Sequence, residues 1–276
     1  ATASQLWEFG PDGAFIREIG KDLYGFAFAH TVQVDKQGNI WTSDEGTNMV
    51  VKFSPAGRVL MALGRRDEAV EPVAEPPAGQ RPIPRWGGFN RPTDVAWDND
   101  GNIFVADGYN NSRAVKYDKT GRFVAEVGSR GTAPSQMNTP HSIQVDNNGN
   151  VYVADRNNNR IQIFDQEGKF LAEWKQFGNP SGVAITSDDT IYVTDQGKKV
   201  VTVGSAKDGS IIGIIPDVWA EGVSVDEVNA AMRAAADAMV SSGMIDHGYS
   251  YVSIDDGWAV KFNEKASPVG RDSQGN

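Results

Sequence analysis

The chain of 276 residues is 39% hydrophobic and 22% charged, enough apolar content for one large globular domain with or without a small appendage. It has no cysteine, which excludes a disulfide framework, a thiolate metal site and a cysteine nucleophile; its formal charge of −10 argues against nucleic acid as a partner, because phosphate backbones select basic surfaces. No apolar run approaches the roughly 18 residues of a membrane span, so no membrane partner is expected.

The 30 glycines and 13 prolines point to many turns and mostly β structure. The chain begins at Ala1 rather than Met, which leans toward a secreted or periplasmic protein, with the cytoplasm as the alternative.

From the N-terminus, residues 6–20 (LWEFGPDGAFIREIG) read as two alternating strands about a turn. A longer unit then repeats. Residues 29–44 (AHTVQVDKQGNIWTSD), 92–107 (PTDVAWDNDGNIFVAD), 140–155 (PHSIQVDNNGNVYVAD) and 180–195 (PSGVAITSDDTIYVTD) each hold a strand, a polar turn, a second strand and a closing Asp. A third and a fourth strand follow each of them, as in RIQIFD (160–165) and FLAEWK (170–175). Four antiparallel strands in a unit of about 40 residues describe a propeller blade. Residues 6–20 match only the outer half of such a blade, so its inner strands are expected from the other end of the chain, closing the ring and removing open edges.

The pattern breaks after residue 217. Residues 226–244 (DEVNAAMRAAADAMVSSGM) have helical composition and period, with Gly243 at a C-cap position. YSYVSIDDGW (249–258) reads as a strand ending in two acids. The expectation is therefore an all-β propeller over 1–217, of five or six blades with a composite closing blade. Residues 218–276 form a helix-strand appendage, with its helix at 227–242, that packs on or completes that blade. A separate domain is the less favoured alternative, since fifty-nine residues would bury little core.

The spacing from His30 to Asp44 recurs from Thr93 to Asp107, His141 to Asp155 and Ser181 to Asp195, so these residues are equivalent in successive blades. One further step reaches Glu221. In a propeller the start of each inner strand faces the channel mouth, so His30, Thr93, His141, Ser181 and Glu221 should form a ring. Tyr109, two residues past Asp107, should stand on its rim. Two imidazoles and a carboxylate converging there suit Zn2+ or Fe2+. The bland readings are a hydrogen-bonded channel histidine, a rim aromatic at Tyr109 and a backbone-bonded Glu221. The closing aspartates read as turn caps, Arg113 and Arg160 as structural, and His247 as solvated. The Pro-rich stretch 65–88 could cover the mouth as a lid.

Residues 6–217 resemble NHL repeats and, through DGYNNSR (107–113) and PHSIQVD (140–146), the peptidyl-α-hydroxyglycine α-amidating lyases. That resemblance implies a six-bladed propeller that cleaves peptidyl-α-hydroxyglycine to a peptide amide and glyoxylate, with a zinc ion, a tyrosine and an arginine. It maps two zinc histidines onto His30 and His141 and the tyrosine onto Tyr109. The third histidine position falls on Glu221, the family's arginine has no counterpart, and a ligand of its structural calcium ion falls on Gly222. Residues 219–258 resemble instead the N-terminal part of the α-galactosidase (melibiase) barrel family, in which the acids at Asp255 and Asp256 bind sugar hydroxyls. The chain then reads as a chimera joined near residue 217. Neighbouring acids on one strand point to opposite faces and cannot flank a glycosidic bond.

The function expected is thus a metal-dependent lyase-like propeller acting on a small-molecule or peptide substrate. The alternatives are a non-catalytic propeller that binds a peptide or protein partner, and a glycoside hydrolase remnant without its catalytic acids.

Overall fold

A computed structural model describes residues 5–10, 14–66 and 88–216. Local chemistry sets up each hairpin. In the turns after the first three inner strands, Asp35, Asp98 and Asp146 each accept the backbone N–H two and four residues ahead, as with Gln37 at 3.0 Å and Asn39 at 2.8 Å for Asp35. The glycine that follows adopts positive φ, 77° at Gly38, 85° at Gly101 and 84° at Gly149, where a Cβ would be strained. The fourth turn has no glycine, and Asp189 takes the left-handed conformation in its place (φ 64°).

The resulting strands group as the repeat predicts. β1 (Leu6–Phe9) and β2 (Phe15–Ile19) form a two-stranded sheet. Four antiparallel four-stranded sheets follow. The first holds β3 (Ala29–Val34), β4 (Ile40–Asp44), β5 (Met49–Phe53) and β6 (Val59–Gly64). The second holds β7 (Asp94–Trp97), β8 (Ile103–Asp107), β9 (Arg113–Tyr117) and β10 (Phe123–Val127). The third holds β11 (Pro140–Val145), β12 (Val151–Asp155), β13 (Arg160–Phe164) and β14 (Phe170–Trp174), and the fourth β15 (Pro180–Ile185), β16 (Thr190–Asp195), β17 (Val200–Ser205) and β18 (Ile211–Ile215).

This is an all-β, propeller-like arrangement, but its count differs from the five or six blades expected. The described residues make four blades and a two-stranded sheet. β1 and β2 are the outer half of the expected composite blade; the C-terminal strands meant to complete it, the helix at 227–242 and the appendage 218–276 lie outside the described residues, as do positions 67–87 of the expected lid. The only helical element among the described residues is a single turn at Arg156–Asn158. No helix there is long and apolar enough to cross a membrane.

The core lies between blades rather than within them. Trp41, Val50 and Leu63 of the first blade pack on Val95, Val105 and Val115 of the second. Phe104 and Ala106 meet Ile143, Val151 and Phe164 of the third. Tyr152, Ile161 and Ile163 meet Val183, Ile191 and Val193 of the fourth. The β1–β2 sheet contributes Ile19 to a fourth cluster with Ile40, Val51 and Phe53. Each such side chain contributes about 1.5–3 kcal/mol on burial, which explains why all five residues of β8, β12 and β13 are buried, on both faces. The closing aspartates tie blades to their incoming connections: Asp44 accepts Ala27 and Phe28 N–H, Asp107 accepts Asn90, Asp155 accepts Asn138 and Asp195 accepts Asn179. The inner strands β3, β7, β11 and β15 stand side by side, and their far ends line an open cleft of about 270 Å³.

Candidate active site at the mouth of the inner strands

His30 and His141 begin their inner strands at a break in the sheet register. Ala29 pairs with Asp44 and Thr31 with Ser43, so His30 is an extra residue between them. His141 is bulged in the same way between Pro140 and Ser142, and Ser181 between Pro180 and Gly182. A bulge interrupts strand alternation and re-aims the side chain it carries. Both imidazoles are thereby turned toward the mouth and are 5% exposed.

Each ring is held from behind by the next blade. His30 Nδ1 lies 2.7 Å from the Thr93 carbonyl oxygen, and His141 Nδ1 lies 2.7 Å from that of Ser181. A carbonyl only accepts, so each Nδ1 carries the proton and each Nε2 presents its lone pair. Thr31 and Ser43 hydroxyls also donate to the Thr93 carbonyl, at 2.6 and 3.0 Å, and fix its position. The two Nε2 atoms converge on one point, the Tyr109 hydroxyl, at 3.2 Å from His30 and 3.1 Å from His141. The tyrosine ring stands edge-on to both imidazoles, with centroids 5.5 and 5.6 Å away.

Tyr109 reaches this point because the loop after β8 presses on the next blade. A Cβ at Gly108 would collide with the Pro140 carbonyl, so Asp-Gly-Tyr is the local solution that lets the backbone pass. Thr93, the ring position of the second blade, turns its hydroxyl to the Pro140 carbonyl at 2.8 Å and not toward the imidazoles.

Of the predicted site residues, the structure brings together His30, His141 and Tyr109. Glu221 lies outside the described residues, as do His247, Asp255 and Asp256. Among the described residues no group of three or more His, Asp or Glu side chains is arranged to hold a metal ion. The two-imidazole set nevertheless has the right chemistry. Both rings donate Nδ1–H to carbonyls, the outer-sphere arrangement that orients ligating histidines, and both present neutral Nε2.

Two cationic groups escaped the sequence reading. The Arg91 guanidinium lies 4.8 Å from the Tyr109 ring centroid and that of Arg156 lies 5.6 Å away. Arg91 is held by an ion pair of 2.8 Å to the buried Glu45. Each sits within a few residues of a ring position or closing aspartate, which was the signal available. Arg113 and Arg160 are structural, as expected. They pair with Asp107 and Asp155 at 3.0 and 2.8 Å and clamp the connections that lead into their blades. Burial, opposed by Asn111, Asn90 and Arg113, pushes the Asp107 carboxyl above its ordinary range. Asp155 is raised by burial too, against Asn138, Asn158 and Arg160.

The NHL repeat pattern matches residues 89–117 and 137–164, which hold the first three strands of blade two and of blade three. The chain is 34% identical over 113 residues to a probable peptidyl-alpha-hydroxyglycine alpha-amidating lyase of Caenorhabditis elegans, a match covering 41% of this chain and 28% of that protein. It is 36% identical over 173 residues to peptidyl-glycine alpha-amidating monooxygenase A of Xenopus laevis, covering 59% and 17%. The matches therefore span under a third of these two relatives. Among solved structures, a streptogramin B lyase superposes with a TM-score of 0.54 at 17% identity, over 78% of this chain and 62% of that one. That likeness concerns the fold alone. The chain carries NHL repeats on a propeller, and part of it is similar in sequence to the amidating lyases.

Proposed function

We propose that the mouth of the inner strands is a lyase-type active site acting on a peptidyl-α-hydroxyglycine or a related small substrate. The observation that carries this reading is the convergence of two oriented imidazole Nε2 atoms on the hydroxyl of Tyr109. His30 and His141 would hold a Zn2+ ion, or Fe2+, with Glu221 or water completing the set. When bound, such an ion supplies charge stabilisation at the substrate's hydroxyl oxygen.

Tyr109 is the proton-transfer group in this scheme. The phenolic hydroxyl takes the substrate hydroxyl's proton as it passes its own to the amide nitrogen, while the substrate's carbon–oxygen bond becomes a carbonyl and the carbon–nitrogen bond breaks. The products are a peptide amide and an aldehyde acid. Arg156 and Arg91 add positive charge beside the ring and would attract the substrate's carboxylate. The similarity to amidating lyases supports the same reaction class.

Two measurements on the purified chain test the reading. Elemental analysis should find bound zinc or iron, and incubation with a peptidyl-α-hydroxyglycine should release glyoxylate. A metal-free protein that binds such a peptide without cleaving it would replace the lyase with a peptide-binding propeller.

A further inference from the structure

One layer below the imidazoles, the inner strands are joined by a single carboxylate. Asp94 on β7 is 3% exposed. Its Oδ1 accepts the Val95 N–H at 2.8 Å and Gln33 Nε2 of β3 at 3.4 Å. Its Oδ2 accepts the Ser142 hydroxyl at 2.6 Å and the Ile143 N–H at 3.1 Å, both from β11. The Ser142 hydroxyl oxygen in turn accepts the Val183 N–H of β15 at 3.1 Å. One acid thus links all four blades through their inner strands.

Its neighbours in the chain are the groups that orient the site. Thr93, one residue before Asp94, supplies the carbonyl that takes His30 Nδ1–H. His141 directly precedes Ser142. The gap between the two imidazoles spans the second blade, and the grip of Asp94 on β3 and β11 closes that gap from both sides.

The fold alone does not call for a carboxylate here. The equivalent positions in the other blades are Thr31, Ser142 and Gly182, all neutral. Burial, the largest influence on Asp94, pushes its carboxyl above the ordinary aspartate range, and the donors of Ser142, Ile143, Val95 and Gln33 work against it. A carboxylate held by these donors, one residue along the strands from the residues that orient the imidazoles, favours a cation bound there.

We propose that Asp94 is a positioning residue of this site, setting the separation of His30 and His141 and supplying a countercharge to the cation they bind. The countercharge rests on the metal-site reading above; the positioning does not.

The test uses the full chain, with Co2+ as a spectroscopic probe. Asp94→Asn and Ser142→Ala should each weaken Co2+ binding about tenfold, as loss of groups behind metal ligands does. Ser142→Thr, which keeps the hydroxyl, should restore it. Asp146→Asn removes another buried acid, at the far end of the same strand, and should leave Co2+ affinity within about twofold while lowering thermal stability. Independently of metal, the chain's three histidines allow a direct readout by imidazole ¹⁵N spectra. The wild type should show Nδ1-protonated rings at His30 and His141. Asp94→Asn should shift both signals and leave His247 unchanged. If Asp94→Asn does not fold, Ser142→Ala carries both measurements. Unchanged affinity and unchanged ring signals would overturn the proposal, as would an equal effect of Asp146→Asn. If the wild type binds no Co2+, the metal reading fails and the ring spectra alone decide the positioning.

Discussion

His30 and His141 belong to blades that have another blade between them, yet their ring centroids lie 4.9 Å apart at an interplanar angle of 72°. Repeat architecture explains the encounter. The two histidines occupy the same register in their blades, and the bulge at each of them delivers its side chain toward the same mouth. His141→Ala should abolish binding of Zn2+ or Co2+ by the full chain, and Glu221→Gln should weaken it. His247→Ala should do neither. Equilibrium dialysis of the three variants checks this, and tight binding by His141→Ala would remove the imidazoles from the site.

Tyr109→Phe separates chemistry from assembly. The variant loses the oxygen on which both Nε2 atoms converge but keeps the ring that fills the space between the imidazoles and the guanidiniums. Glyoxylate release should fall by about 10²- to 10⁴-fold, the usual contribution of a positioned proton-transfer group, while metal content stays the same. Equal losses of metal and activity would make Tyr109 a support for the ligands instead.

Much of this arrangement is legible in the residues. The Asp-x-x-Gly-Asn turns and the alternating strands around them announce the hairpins, and the constant spacing from ring position to closing aspartate puts His30 and His141 in register. The bulges are not legible. The register shift that aims the histidines leaves no residue type common to the two blades, since Ala29 precedes one bulge and Pro140 the other. The cationic surroundings of Tyr109 were also missed. Arg91 and Arg156 come from different blades and meet one ring only in three dimensions. Asp94 reads as one more strand residue until its partners on β3 and β11 are seen.

Arg160 shows how strongly a blade depends on its connection. Its guanidinium is 4% exposed and donates to Asp155, Glu173 and the carbonyls of Ala133 and Gln136. Arg160→Ala leaves the buried Asp155 carboxylate without its cation and should cost about 3–5 kcal/mol. Urea unfolding should show that loss as a shift in midpoint. Arg122→Ala, in an exposed turn, should stay within about 0.5 kcal/mol of wild type.

Asp35 gives the stability curve an acid limb with a definite sign. Burial works against its charge, but hydrogen bonds from Trp41 and Asn39 and the nearby Lys52 outweigh it and hold the carboxyl below its ordinary value. A depressed folded-state value means that the unfolded chain binds the proton more readily. The contribution of the ionised group is therefore fully present above the ordinary aspartate range, near pH 4, and is lost as pH falls through the lower folded value. Asp35→Asn should lower stability at pH 7 by about 1–3 kcal/mol, because it removes a buried acceptor of several N–H groups. Its deficit against wild type should shrink as pH falls below about 4, where wild-type Asp35 also loses its charge. Melting temperatures of both proteins between neutral and acid pH check the sign, and a deficit that grows on acidification would show that Asp35 is not held as the ion.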